Sequence, residues 1–387
     1  MWKTRVLATL SVGALAVTLA AAPAAAVSPG WTQPGYGAGH NFYNPAESAI
    51  NAASINKVKK RWSAKLPDIE LSCTKPAEPL AYGGRVFVTD DKGIGAYQAG
   101  TGKRSWHWDW AYPDNEYTPH LAVAGGLLIA GNTECQSQSD PNGGIVALSL
   151  TTGKVKWQVA AGGPVETVVV DKGMVVVAGS SESSDPSVRA YRLSDGKARW
   201  SLAEHWSPGV SANGKLLVTR TDAAGVAAVD ITTGKRAWSK PIEWQPIAAA
   251  GDMYFATDKA GRLIGAKLAN GAATWTNTMD TGAPALLAAD GKRVYRTVVN
   301  GIEALDVKKG KRLWLRQFEG DTSQPVRAGG LLYTNVDAGQ PVGVLNAATG
   351  RVVSSGKQFG NDDGGNVVVA DGWLFRVFDH SLEGYRP

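Results

Sequence analysis

Side chains able to do chemistry are present in the 387-residue sequence, but few of them are grouped. The five histidines (His40, His107, His120, His205 and His380) fall at intervals that match no metal-ligand spacing. There is no Gly-x-Ser-x-Gly nucleophile elbow, no His-Glu-x-x-His motif, and no glycine-rich loop opening a helix to cradle phosphate. No catalytic residue is therefore assigned. Three single carboxylates, Glu116, Glu166 and Asp363, lie close to short apolar runs, where a base or a cation ligand would face a central cavity. The run Gly360-Asn361-Asp362-Asp363-Gly364-Gly365 carries oxygen ligands and turn residues suited to Ca2+. It lacks the later Glu of a complete loop motif, so an ordinary polar turn is expected, with Asp362 and Asp363 the only metal candidates. Cys73 and Cys135 are the only cysteines, and in an oxidising compartment such a pair is expected to form a disulfide.

Residues this dispersed need a frame to bring them together, and the sequence supplies one as a repeat. Gly102-Lys103-Arg104-Ser105-Trp106 recurs with the same Gly-to-Trp spacing at Trp157, Trp200, Trp238, Trp275 and Trp314. A seventh copy, Gly350-Arg351-Val352-Val353-Ser354, has Ser where the others have Trp. The intervals between successive Trp are 51, 43, 38, 37 and 39 residues, the length of a four-stranded propeller blade. No apolar stripe of period 3.6 persists between the glycine turns, which argues against helix. Each unit reads as an inner strand, a Gly turn, a β-branched second strand, a polar loop, a third strand, a Gly-Lys turn and an outer Trp strand. Residues 283–316 show this as APALLA, RVYRTV, IEALDV and KRLWLR.

The ends of the chain fix the blade count. Residues 364–385 supply three strands and no outer one, whereas residues 58–66 (VKKRWSAKL) form a lone outer strand with Trp62. Joining the two fragments completes a blade and removes an open sheet edge. The expected fold is all-β: an eight-bladed β-propeller of four-stranded blades over residues 57–387, its last blade closed by an N-terminal strand. Seven blades is the alternative, should the degenerate seventh unit be distorted.

The pattern Ala-x-Asp-x-x-Thr-Gly-Lys-x-x-Trp, seen at residues 228–238, resembles the repeat of the pyrroloquinoline-quinone-like (PQQ-like) propellers and extends over most of the chain. That family includes outer-membrane assembly propeller lipoproteins and quinoprotein dehydrogenases. The resemblance implies that Trp106, Trp157, Trp200, Trp238, Trp275 and Trp314 are structural, packing on the neighbouring blade's third strand and turn, with Trp62 docking the closing blade. It also implies that residues 31–45 (WTQPGYGAGHNFYNP) are a leader lying along one face. A quinone enzyme of this kind needs a divalent cation, a carboxylate base, cationic partners for the quinone acids and an aromatic floor. No local grouping presents that set, and the adjacent cysteines found in many such enzymes are absent because Cys73 and Cys135 stand 62 residues apart. No cofactor is therefore expected; PQQ or Ca2+, with Glu116, Glu166 or Asp363 at the cofactor, is the alternative.

Charge sorts by face in this scheme. The eight loops running from an outer strand to the next inner strand hold 13 acidic and 2 basic residues, while the turns before each outer strand hold 11 basic and 1 acidic. One face should carry Asp68, Glu70, Asp114, Glu116, Glu204, Glu243, Glu319, Asp321, Asp362 and Asp363, interleaved with Tyr112, Tyr117, Trp206 and Trp244. Carboxylates that steer and aromatics that give contact area suit a cationic protein or peptide, with Glu204, Trp206, Glu243, Trp244 and Asp321 the partner-binding candidates. The opposite face carries Lys103, Arg104, Lys235, Arg236, Lys308, Lys309, Lys311 and Arg312, which would suit a cell-wall polyanion.

Residues 1–26 read as an export signal, with Lys3 and Arg5 before an apolar core and Ala24-Ala25-Ala26 as the cleavage site; residues 27–56 are the leader segment. No cysteine adjoins the cleavage site, so a secreted, non-lipidated monomer without membrane insertion is expected. Loss of Lys3 and Arg5 lowers the formal charge from +6 to +4, too little to suggest nucleic acid as a partner. The expected function is a secreted, non-catalytic propeller that binds a protein or peptide through its acidic face. The alternatives are an enzyme using the central funnel and a polyanion binder using the basic face.

Overall fold

In the computed structural model the described residues are 30–69, 72–75, 77–137, 139, 141–181, 184–278, 286–336, 340–359, 367–378 and 380–387. The expected signal segment, Glu70, Asp362 and Asp363 lie outside them. Eight antiparallel sheets follow one another along the chain, and the only helical turns among the described residues are three short 3-10 segments. Blade 1 shows the pattern, running Leu80–Tyr82, Arg85–Asp90, Gly93–Gln98 and Arg104–Asp109 from the inside outward. Inner, second and third strands are largely buried between neighbouring blades, whereas outer strands alternate exposed and half-buried residues, as expected for an edge with one covered side.

Ring closure is as the sequence indicates. Lys59–Lys65 pairs antiparallel with Ser381–Arg386, giving the sheet of Trp373–Phe378 and Val368–Ala370 its outer strand. In blade 4 the inner strand is broken into His205–Trp206 and Ser211–Ala212, and blade 7 gains a short parallel strand, Tyr43–Asn44.

One device is used at seven of the eight seams. Trp62, Trp106, Trp157, Trp200, Trp238, Trp275 and Trp314 each donate an indole N–H to a carbonyl in the turn after the next blade's third strand, at 2.8 to 3.3 Å. The ring lies over the repeat glycine of that blade. At Gly234, for example, φ is +69° and an added Cβ would stand 2.8 Å from Trp200. Glycine is required there twice over, for the left-handed turn and for the close approach of the indole. At the eighth seam Ser354 replaces Trp, and Ile50, Ile55 and Phe359 are buried there instead, with Gln358 Nε2 donating to Ile55 O.

The leader is more than a strip along one face. In order, Trp31, Thr32, Gln33, Ala38, Gly39, Asn41, Phe42 and Asn44 bond the backbones of Ala81, Val123, Val170, Ser211, Ala249, Ala289, Arg327 and Val369. These eight residues belong to the inner strands, or their immediate ends, of blades 1 to 8, so the segment circles the axis once. All eight lie at or close to the ends of inner strands that lead into the inner-to-second turns, so the leader caps the axis on the face opposite the acidic loops. His40 sits in this collar at φ 49°, its imidazole lowered to about 4 by burial and, secondarily, by His120.

Candidate functional site

The outer strand of blade 1, Arg104–Asp109, and the residue that follows it read Trp106-His107-Trp108-Asp109-Trp110. Alternation along a strand puts the three indoles on one side. Trp106 fills the seam to blade 2, and Trp108 and Trp110 continue the same side upward to the acidic face. There they line a cavity of about 450 Å3 between blades 1 and 2. Their rings meet edge to face at 4.6 Å, and Trp110, only 7% exposed, has an indole N–H with no hydrogen-bond partner.

The polar lining is acidic and amide: Asp109, Glu116, Asn132, Glu134, Asn142 and Gln158. Glu116 accepts a short hydrogen bond from Asn132 and forms a backbone bridge with Glu134, whose carboxylate accepts from Asn142 Nδ2 at 2.9 Å. Burial pushes the Glu116 carboxyl up to about 7; the Asn132 hydrogen bond opposes the shift and the Glu134 charge adds to it. The site is pinned by the Cys73–Cys135 disulfide, which joins the loop entering blade 1 to the loop after blade 2's second strand. Thr74 Oγ1 on Glu116 O and Lys75 N on Thr118 Oγ1 hold the same junction.

Other expected residues are placed differently. Glu116 lines this interblade cavity. Glu166 precedes the inner strand of blade 3 and accepts from Ser180 N at 3.2 Å and the Trp206 indole at 3.4 Å. Trp206 and Trp244 are half-buried members of His205–Trp206 and Trp244–Ala250, not exposed loop residues, because both pair with second strands of their blades. Only Tyr112 and Tyr117, at 71% and 48%, are exposed aromatics of the kind expected. Glu243 is paired with Lys259 beside Trp244, in a second cavity of about 350 Å3 between blades 4 and 5. Arg220–Asp222 and Arg262–Asp258 pairs lie beside it, so that region is internally neutralised. Glu204 has φ 55° at the turn between blades 3 and 4, and Asp321 Oδ1 accepts from Asn300 N at 3.1 Å. The eight basic residues named for the opposite face are all exposed, and of them Arg312 reaches Glu303.

A quinone tricarboxylate does not fit around Glu116. Among the described residues that cavity is lined by three carboxylates and by no Lys or Arg, so an anionic ligand would meet like charge. What the lining does suit is a group with a positive end. The residues that sequence reasoning missed, Trp108, Trp110, Asn132 and Glu134, left one readable signal, the Trp-x-Trp-x-Trp spacing.

A closed eight-bladed propeller, capped at one end of its axis and carrying a tryptophan-and-carboxylate cavity on the other face, defines the class. The family described as outer membrane protein assembly factor BamB matches residues 24–240 and 222–378, and the chain belongs to that family. It is 25% identical over 302 residues to outer membrane protein assembly factor BamB of Yersinia pestis, covering 72% of this chain and 68% of that one. Among solved structures, BamB from Moraxella catarrhalis superposes with a TM-score of 0.60 at 15% identity, over 85% of this chain and 98% of that one. Quinohemoprotein alcohol dehydrogenase from Comamonas testosteroni gives 0.65 at 13% identity, over 93% and 81%. At such identities the structural likenesses speak for the fold alone, and one fold hosts both enzymes and binders.

Proposed function

We propose that this protein is an exported, non-catalytic scaffold that binds a protein or peptide segment bearing a cationic side chain on its acidic face. Membership of a family named for an assembly factor supports a binding role outside the cytoplasm. Among the described residues no helix is long and apolar enough to cross a membrane. The observation that carries the reading is the blade 1–2 cavity, where the unpartnered Trp110 N–H lies with Glu116, Glu134 and Asp109 in one lining. A Lys or Arg head placed on the Trp108 face gains cation–π and carboxylate contacts together. Glu204, Glu243 and Asp321 lie outside this cavity; Glu204 and Asp321 act in long-range steering, whereas Glu243 is offset by its pairing with Lys259.

The test uses a family of Lys- or Arg-bearing peptides and binding measured at several salt concentrations. Glu134→Gln and Trp108→Ala should weaken binding at least about tenfold through faster dissociation. The double change Glu204→Gln, Asp321→Asn should slow association and flatten its salt dependence, since exposed charges act within about 8 Å at physiological salt. Peptide binding that is indifferent to both sets, or that prefers anionic peptides, would overturn the reading.

A further inference from the structure

The seam that closes the ring also gathers three side chains from distant parts of the chain. Asp68 follows the N-terminal closing strand, Asp91 sits in the hairpin between the second and third strands of blade 1, and His380 sits in the matching hairpin of blade 8. His380 Nδ1 lies 3.8 Å from Asp68 Oδ1 and 3.8 Å from Asp91 Oδ2, and one donor atom from each of the three residues falls within 4.8 Å of the others. Donors at these separations can share one cation at about 2.0–2.5 Å from each, the range of metal–oxygen and metal–imidazole bonds.

A second feature points to the same place. Asp91 and His380, together with Asp90 and the exposed Lys75 but not Asp68, line a cavity of about 20 Å3, the size of one water molecule or one ion. Thr89 lines it too, is 3% exposed, and has a hydroxyl with no hydrogen-bond partner. A buried hydroxyl is ordinarily satisfied, so one left unpartnered in the cavity that Asp91 and His380 line points to a ligand there. The backbone is also set for the purpose: Ile69 N bonds the Asp91 carboxylate at 3.2 Å, and Leu66 N bonds His380 O at 2.7 Å, which fixes the two hairpins relative to the closing strand. Asp68 and His380 are partly exposed, giving an ion a path from solvent, while Asp91 is buried at the floor.

We propose that Asp68, Asp91 and His380 bind one divalent transition-metal ion of the Zn2+ class, which ties the N-terminal strand to the C-terminal blade and locks the ring. One nitrogen and two carboxylate donors favour such an ion over Ca2+, which prefers an all-oxygen set. The remaining positions are filled by water, and a metal-bound water donates its hydrogen bond to the Thr89 hydroxyl. Because the ion binds the folded ring and not the open chain, it raises thermal stability in proportion to its occupancy.

The experiment uses the untagged chain after chelator treatment and desalting, titrated with Zn2+ and separately with Ca2+ by calorimetry, with melting temperatures taken in parallel. One Zn2+ per chain with micromolar affinity, and a melting temperature that rises with Zn2+, is expected. Asp68→Asn and His380→Asn should each weaken Zn2+ binding more than tenfold and remove the thermal shift while leaving the metal-free melting temperature near that of the parent. Asn is chosen at 380 because it tolerates the positive φ of 53° found there. Absence of Zn2+ binding, binding that survives both substitutions, or a thermal shift produced by Ca2+ alone would overturn the proposal.

Discussion

Replacing Gly234 by Ala tests whether the Trp–Gly seams hold the ring together. The new Cβ meets Trp200 Cδ2 at 2.8 Å and Cε3 and Cγ at 3.0 Å, and φ is +69°. The left-handed backbone costs an L-residue about 1–2 kcal/mol. Forcing the indole aside adds about 1–3 kcal/mol, so Gly234→Ala should lose about 2–5 kcal/mol in all. Gly261 supplies the control, since its φ is +72° and nothing lies within 4 Å of an added Cβ. Gly261→Ala should therefore lose only the backbone share, about 1–2 kcal/mol. Trp200→Ala alone removes the packing and the hydrogen bond to Ile231 O and should cost about 3–5 kcal/mol. In that background Gly234→Ala no longer meets the ring, so the two changes should couple by about 1–3 kcal/mol in a double-mutant cycle. Urea unfolding followed by far-ultraviolet circular dichroism reads all four species without relying on the tryptophan being replaced. Equal losses at Gly234 and Gly261, or an unchanged Gly234→Ala penalty without Trp200, would refute the reasoning.

Three further outcomes are expected. Deleting residues 57–63 removes most of the closing strand and Trp62, and should lower stability by more than the 3–5 kcal/mol of a single buried Trp truncation; an unchanged melting temperature would mean the ring closes some other way. Replacing Cys73 and Cys135 by Ser should cost about 4 kcal/mol through loop-closure entropy over their 62-residue separation, and a reductant should lower the melting temperature of the parent but not of the variant. Glu116 holds its proton up to about pH 7 when folded but only to the ordinary glutamate range when unfolded, so the chain loses stability as pH rises from about 4.5 through 7. Glu116→Gln should flatten that stretch of a melting-temperature profile, and in the parent the binding of a Lys-bearing peptide should tighten over the upper part of the same window.

The blade count, the closing strand, the seam tryptophans and the disulfide are legible in the sequence because each depends on a spacing or a pairing that the chain states locally. A four-residue Gly-to-Trp interval places an indole over a turn wherever it occurs, and a lone strand at one end with three at the other has one economical pairing. The candidate binding surface is legible only as a sign of charge. Whether Glu243 is free or paired with Lys259 depends on how two separate loops lie, and nothing in their spacing states it. Trp206 and Trp244 moved from loop to half-buried strand because second strands of their blades captured them. Tertiary structure alone also decided that the leader circles the axis and that the Trp-x-Trp-x-Trp run meets Glu116 and Glu134. It placed Asp68, Asp91 and His380 together in the same way, although 289 positions separate Asp91 from His380. Curvature accumulated over eight blades brings distant loops into contact, and that closure is a property of the whole ring that no segment encodes.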